Sequence, residues 1–311
     1  MTSVQRQCGF TLTELAIVML IIGLALIGLL GPINRQIQQA HYNVTQERLD
    51  AAREAVLSFA VVNGRLPCPD QDSDGLEDRR LPNDSARIGC LNHIYEGFLP
   101  WATLGVLQTD YWGNRFRYRV AFEFVRAGNN NNWICGATAN QSLDKTLAPG
   151  CPGTLLGVGV PPPGCEPPLG VAATNPNSCT FEIGDTGDIS IRDGQAGRPG
   201  SAYIMNPISV PPVGAVAVVL SVGANGLGGT SDAGLPRPAP LAGSDEAFNT
   251  PVAIPPGTFR NSPFIIRTPT EQATGCADNA GGTLCEFDDQ LVFIGVNTLI
   301  SRLVQAGVRL R

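Results

Sequence analysis

Hydrophobic and polar positions divide the chain into an apolar head, an amphipathic segment and a long remainder of weaker pattern. From Leu15 to Gly31 no charge interrupts an almost wholly apolar run. With Phe10 to Thr13 it reaches the roughly 20 residues that cross a bilayer. From Pro32 the pattern turns amphipathic. Ile33, Ile37, Ala40, Val44, Ala51, Ala52, Ala55, Val56 and Phe59 recur at three- and four-residue spacing, with Arg35, Gln38, Glu47, Arg48 and Asp50 between them. One helix over residues 10–64 accounts for both stretches, roughly 80 Å long at about 1.5 Å per residue. Asn63 and Gly64 supply its stop, and Pro32 is expected to bend or locally melt it. Its first half, residues 10–31, is expected to span a membrane, and its second half to pack on a sheet.

Beyond the helix the signals are those of strands and loops. In Arg115 to Val125, Phe116, Tyr118, Val120, Phe122 and Phe124 alternate with Arg115, Arg117, Arg119, Ala121 and Glu123. Period two predicts a half-buried strand whose arginines face solvent and pair across to Asp or Glu. Ala215 to Val222 reads as a buried strand followed by a Gly/Asn loop. Phe264 to Pro269 and Gln290 to Val296 read as strands flanking a loop between Cys276 and Cys285. Asn297 is then a candidate N-cap for a short terminal helix with Leu299, Ile300, Leu303 and Val304 on its apolar face. Residues 127–200, rich in Asn, Gly and Pro, show little periodicity and read as a loop-rich insertion. The fold class is α+β: a long N-terminal helix packed on an antiparallel sheet, with the globular domain spanning residues 65–311.

Composition narrows this further. Charged residues are only 15%, and Gly (36) and Pro (25) are abundant, which favours loop-rich β structure over a helical bundle. A net charge of −6 argues against nucleic acid as a partner, although alternate arginines on one strand suit phosphate contacts. Of the nine cysteines, Cys8 precedes the apolar run. Cys68, Cys90, Cys135, Cys151, Cys165, Cys179, Cys276 and Cys285 follow it as disulfide candidates, which points to an oxidising compartment. Asp70, Asp72, Asp74 and Asp78, with Gly75, match the first half of a calcium loop. The closing Glu of such a loop is replaced by Leu81, so bound calcium competes with a solvated turn pinned by a Cys68–Cys90 bridge.

The residues at the head of the helix carry a resemblance. Gly9-Phe10-Thr11-Leu12-Thr13-Glu14 followed by an apolar run resembles the prepilin signature of type IV pilins and type II secretion pseudopilins. Thr13 departs from the commoner aliphatic residue. The resemblance implies a leader peptide, residues 1–9, cut by a prepilin peptidase between Gly9 and Phe10, methylation of the new amine on Phe10, and use of Glu14 in filament assembly. Physical chemistry agrees. A carboxylate in an apolar helix is costly alone, and the cut creates an amine about 6 Å below Glu14 that an adjacent subunit can offer to it. Cutting there also removes Cys8 and leaves an even cysteine count. Two further segments resemble pseudopilins: Asp110-Tyr111-Trp112-Gly113-Asn114, which opens their sheet, and a loop matched by Ser221, Gly223, Asn225, Gly226 and Gly229. In the secretion subfamily that loop helps hold calcium, with Asp245 and Glu246 as candidate ligands here.

The function implied is that of a non-catalytic subunit of a pilus or pseudopilus, and the size of the domain, large for a repeating major subunit, favours a minor one. Its implied partners are other pilin subunits, the prepilin peptidase, an inner-membrane assembly platform and, before assembly, membrane lipid. The implied location is the inner membrane with the domain in the periplasm, then the filament. The alternative is a tip adhesin or a substrate- or DNA-binding module. Calcium is the one candidate cofactor. His41 and His93, the two histidines, have no Ser or Cys partner in sequence, and no nucleophile-elbow, H-E-x-x-H or P-loop pattern occurs. Asp185, Asp188, Asp288 and Asp289 have no assigned place, which leaves a carboxylate-pair hydrolase as the residual catalytic reading.

Overall fold

The computed structural model describes residues 12–63, 65–79, 90–125, 187–208, 213–250, 262–271, 274–279 and 283–307, without the side chains of 25–35, 93, 122 and 123. Cys135, Cys151, Cys165 and Cys179 lie outside the described residues, as do Gly9 and Phe10. The chain divides into two compact units, Met1–Val44 and Thr45–Arg311.

The first unit holds the beginning of helix α1 (Leu12–Asn63), which is assigned as uninterrupted helix, Pro32 included, so the expected local melting is not found. Leu15, Ile17, Leu20, Ile21 and Leu24 are exposed along it. Among the described residues no helix is long and apolar enough to cross a membrane. The span expected at 10–31 falls partly outside them, at residues 10–11 and the side chains from 25 onward.

The second unit begins with the rest of α1. Leu49, Ala52, Val56, Leu57 and Ala60 form its buried stripe, at the three- and four-residue steps that bring side chains onto one helix face. The stripe is displaced from the one read in sequence. Ala51 is exposed and Phe59 half-buried, where the Arg65 guanidinium covers its ring at 5.1 Å.

That stripe packs on a four-stranded antiparallel sheet of order β1 (Glu96–Phe98), β2 (Arg117–Val120), β5 (Ala215–Ser221) and β7 (Gln290–Gly295). A second sheet has the order β4 (Tyr203–Met205), β3 (Ile191–Arg192) and β6 (Phe264–Ile265). Its β3–β6 pair is parallel, a departure from the wholly antiparallel expectation. Strand β3 also shows order within the region 127–200 read as a loop-rich insertion, from residue 187 onward.

Two cores result, one on each face of the larger sheet. On the helix side Val216, Ala217 and Val219 meet Leu49, Val56, Phe116 and Tyr118. On the other side Val218, Leu220 and Leu291 meet Ile189, Ile191 and Phe264. Strand β5 is therefore buried at every position, which explains its unbroken apolar sequence.

The same double cover corrects the reading of Arg115 to Val125. The strand stops at Val120, and Phe122–Val125 turn into a 3-10 helix, with the Phe124 amide donating to the Ala121 carbonyl at 3.1 Å. Arg119 faces the second core instead of water. It is buried, between Glu96 at 3.7 Å and Asp188 at 3.8 Å. Helix α2 (Trp101–Leu104) caps the Asp70 turn, and α4 (Val296–Gln305) closes the chain. The N-cap of α4 is Gly295 and not Asn297. Leu299 and Leu303 are buried, whereas Val304 is 53% exposed.

Candidate functional site

Four places among the described residues carry candidate chemistry. At the head of α1, Glu14 is exposed in the first turn, where a carboxylate complements the positive end of the helix dipole. The cleavage positions Gly9 and Phe10 lie outside the described residues.

The aspartate turn after α1 is tied down at both ends. Cys68 and Cys90 are joined by a disulfide, and the buried Arg65 guanidinium grips Glu77 through both nitrogens. Oxygens of Asp70, Asp72 and Asp78 lie within 4.8 Å of one another, and Asp74 is not part of that group. Their bonds are those of a turn. Asp70 accepts from the Ser73 amide at 2.6 Å and the Gly75 amide at 2.8 Å. Asp78 accepts from the Gln71 amide at 2.6 Å, Asp72 from the Asp74 amide at 3.2 Å and Asp74 from the Leu76 amide at 2.7 Å. Burial raises the Asp70 carboxyl, and the Gly75 and Ser73 amides oppose it. Gly75 has φ +85°, and its Cα lies against the Trp101 indole, so a side chain here would meet the ring. Leu81, at the position where a calcium loop would close, lies outside the described residues.

The two segments that resemble pseudopilin sequence meet in the fold. Asp110 is buried and accepts from the Asn114 amide at 2.8 Å, the Asn114 side-chain amide at 3.1 Å and the Ser221 hydroxyl at 2.7 Å. The Asn114 side chain also donates to the Gly223 carbonyl at 2.9 Å. Burial raises the Asp110 carboxyl, and these donors hold the rise in check. From α1, Arg48 donates to the carbonyls of Thr109 and Asp110, and Thr45 receives the Tyr111 amide. The turn, the end of β5 and the helix are thus one polar hub.

Past that hub, the loop after β5 reaches a cluster of acids. Helix α3 (Asp245–Asn249) is capped by Ser244, whose hydroxyl accepts from the Ala247 amide at 3.2 Å. The two acids read in sequence as one ligand pair separate here. Asp245 Oδ2 is taken by Arg198 at 2.8 Å and Arg267 at 2.6 Å, which makes Asp245 an ion-pair residue. Glu246 instead joins Asp288 and Asp289, with one oxygen of each within 4.8 Å of the others. Asn225 serves this cluster as a donor. Its amide reaches Asp288 Oδ2 at 2.7 Å and its side chain reaches Glu246 Oε1 at 3.0 Å. Burial raises all three carboxyls, Asp288 to about 7 and Asp289 well above the usual carboxylate range. Mutual repulsion with Glu246 adds to the rise of both aspartates. Sequence reasoning left Asp288 and Asp289 unplaced. An adjacent acid pair at the mouth of an apolar strand was the available signal.

Residues 4–30 match the family model described as a prokaryotic N-terminal methylation motif. No curated protein and no solved structure matches the chain. The chain carries, at its head, the prepilin-type signature of pilins and pseudopilins.

Proposed function

We propose that the chain is a non-catalytic, minor structural subunit of a type IV pilus or a type II secretion pseudopilus. It is inserted in the inner membrane through residues 10–31, with its domain in the periplasm. Prepilin peptidase cuts between Gly9 and Phe10, the Phe10 amine is methylated, and the helix enters the filament beside those of neighbouring subunits. The observation that carries this reading is the methylation motif at residues 4–30, continuous with a helix whose large apolar side chains are exposed. Such a surface requires lipid or neighbouring helices to cover it.

Glu14 then has its partner in the amine of an adjacent subunit, and each charge removes the cost of burying the other. The minor assignment rests on size, since 311 residues is large for a repeating subunit. The test is co-expression with a prepilin peptidase followed by intact-mass measurement. Loss of residues 1–9 and gain of one methyl group is the expected result, and an uncut chain overturns the reading.

A further inference from the structure

We propose that the Cys276–Cys285 bridge is a redox-operated latch, by which a dithiol reagent unseats the start of α3 and its disulfide form restores it. The latch works in the same way before and after cleavage at Gly9. The bridge joins cysteines at a sequence separation of 9, and between them stands Asp278, buried at 1% exposure. The Asp278 carboxylate faces both ways. Its Oδ1 accepts from the Cys285 amide at 2.9 Å, beside the bridge. Its Oδ2 accepts from the amide of Asp245, the first residue of α3, at 2.8 Å. The bridged turn therefore reaches a helix 33 residues upstream through one side chain.

Charge makes that contact matter. Arg267 lies between Asp245 at 2.6 Å and Asp278 at 3.4 Å, and Arg198 pairs with Asp245 at 2.8 Å. Two guanidiniums and two carboxylates balance in the interior. Arg267 also donates to the Cys285 carbonyl at 3.1 Å and stacks on the Phe287 ring at 4.4 Å, so the same turn fixes it. Besides the bridge and Asp278, the Ala277 amide joins the two arms of the turn by donating to the Thr283 carbonyl at 3.0 Å. If the open turn withdraws Asp278, both guanidiniums are left on Asp245 alone. A buried ion network that loses one partner is strongly destabilised. Opening therefore propagates to α3 and does not stay in the turn. The Cys68–Cys90 bridge has no such relay, because Asp70, Asp72, Asp74 and Asp78 accept from amides within their own turn.

Exposure sets the order of the chemistry. Cys276 is half-buried and Cys285 buried, which directs attack to the Cys276 sulfur. A thiolate of the dithiol bonds to Cys276 Sγ as the bridge breaks, and Cys285 Sγ leaves and takes up a proton. The second thiol of the reagent then displaces Cys276 Sγ, which is protonated in turn, and the reagent ends as a disulfide. Two electrons pass from reagent to bridge, and the reverse steps close it.

The experiment uses the full chain in detergent, with hydrogen exchange read peptide by peptide. In the double variant Cys276→Ser, Cys285→Ser, exchange over residues 244–247 should quicken by at least about 10-fold. Asp278→Ala, with the bridge intact, should quicken the same residues. The double variant Cys68→Ser, Cys90→Ser should leave them unchanged. In the wild-type chain sampled during treatment with dithiothreitol, exchange over 244–247 should rise in step with alkylation of Cys276. That time course decides where a variant fails to fold. Quickening confined to residues 274–285 overturns the proposal. So does a rise over 244–247 that follows alkylation of Cys68 instead of Cys276.

Discussion

Replacing Asn114 with alanine tests whether the polar hub organises the domain. Asn114 is buried, and its side chain donates to the Asp110 carboxylate and the Gly223 carbonyl while accepting from Arg237 Nε at 3.2 Å. A buried hydrogen bond to a charged group contributes about 1.5–3 kcal/mol and a neutral one about 0.5–1.5 kcal/mol. Truncation leaves acceptors that water cannot reach, so the loss should be roughly 3 kcal/mol. With a urea slope of about 1–3 kcal/mol per M, the midpoint should fall by at least about 1 M. Asp110 adds a pH signature. Its folded carboxyl is raised by burial, so its contribution is full below the unfolded value near 3.8 and is lost as pH rises through the folded value. Removing a donor moves that folded value further up, so the deficit of Asn114→Ala should be larger at neutral than at acidic pH. Ser221→Ala should cost less, and the double variant less than the two singles together, because both side chains serve one carboxylate. A midpoint shift below about 0.5 M, or strict additivity, would refute the hub.

Other expectations are read in the same way. Opening the Cys68–Cys90 bridge, which closes a separation of 22 residues, should cost roughly 3 kcal/mol, read as a lower melting temperature of the double serine variant. Arg119→Met strands Glu96 and Asp188 without their cation and should cost about 3–5 kcal/mol at neutral pH. That deficit should shrink on acidification, because burial already raises the Asp188 carboxyl and the variant raises it further; a pH-independent loss would contradict the pairing. Glu14→Val should leave the melting temperature of the domain unchanged yet exclude the chain from filaments, scored by immunogold labelling of sheared fibres.

Sequence made the long elements legible for physical reasons. Helix α1, strand β5 and strand β7 each repeat one burial environment often enough for a period, or its absence, to register. Strands β3 and β6, of two residues each, have no room for a period. The alternation around Arg119 was genuine, but its meaning depended on a second sheet built from residues 191–205 and 264–265, so a solvated face was inferred where a buried ion pair stands. The Asp110 and Ser221 segments were each visible, whereas the bond between them belongs to the fold. The acidic cluster was the least legible. Glu246 and Asp288 meet only because α3 and the approach to β7 converge, and Asp245, its neighbour in sequence, turns to the arginines.

The chain order within the larger sheet also dictates a sequence of events in time. Strand β5 pairs with β2, which lies far upstream across the loop-rich region, and with β7, which lies far downstream. Both bridges among the described residues, in contrast, join cysteines close in sequence. Local cross-links can therefore form while the central strand, apolar on both faces, still lacks one edge partner and the late-arriving cover of β6. Non-local pairing of this kind is slow to complete. Until that pairing is complete, the seven residues from Ala215 to Ser221 are the segment most exposed to aggregation.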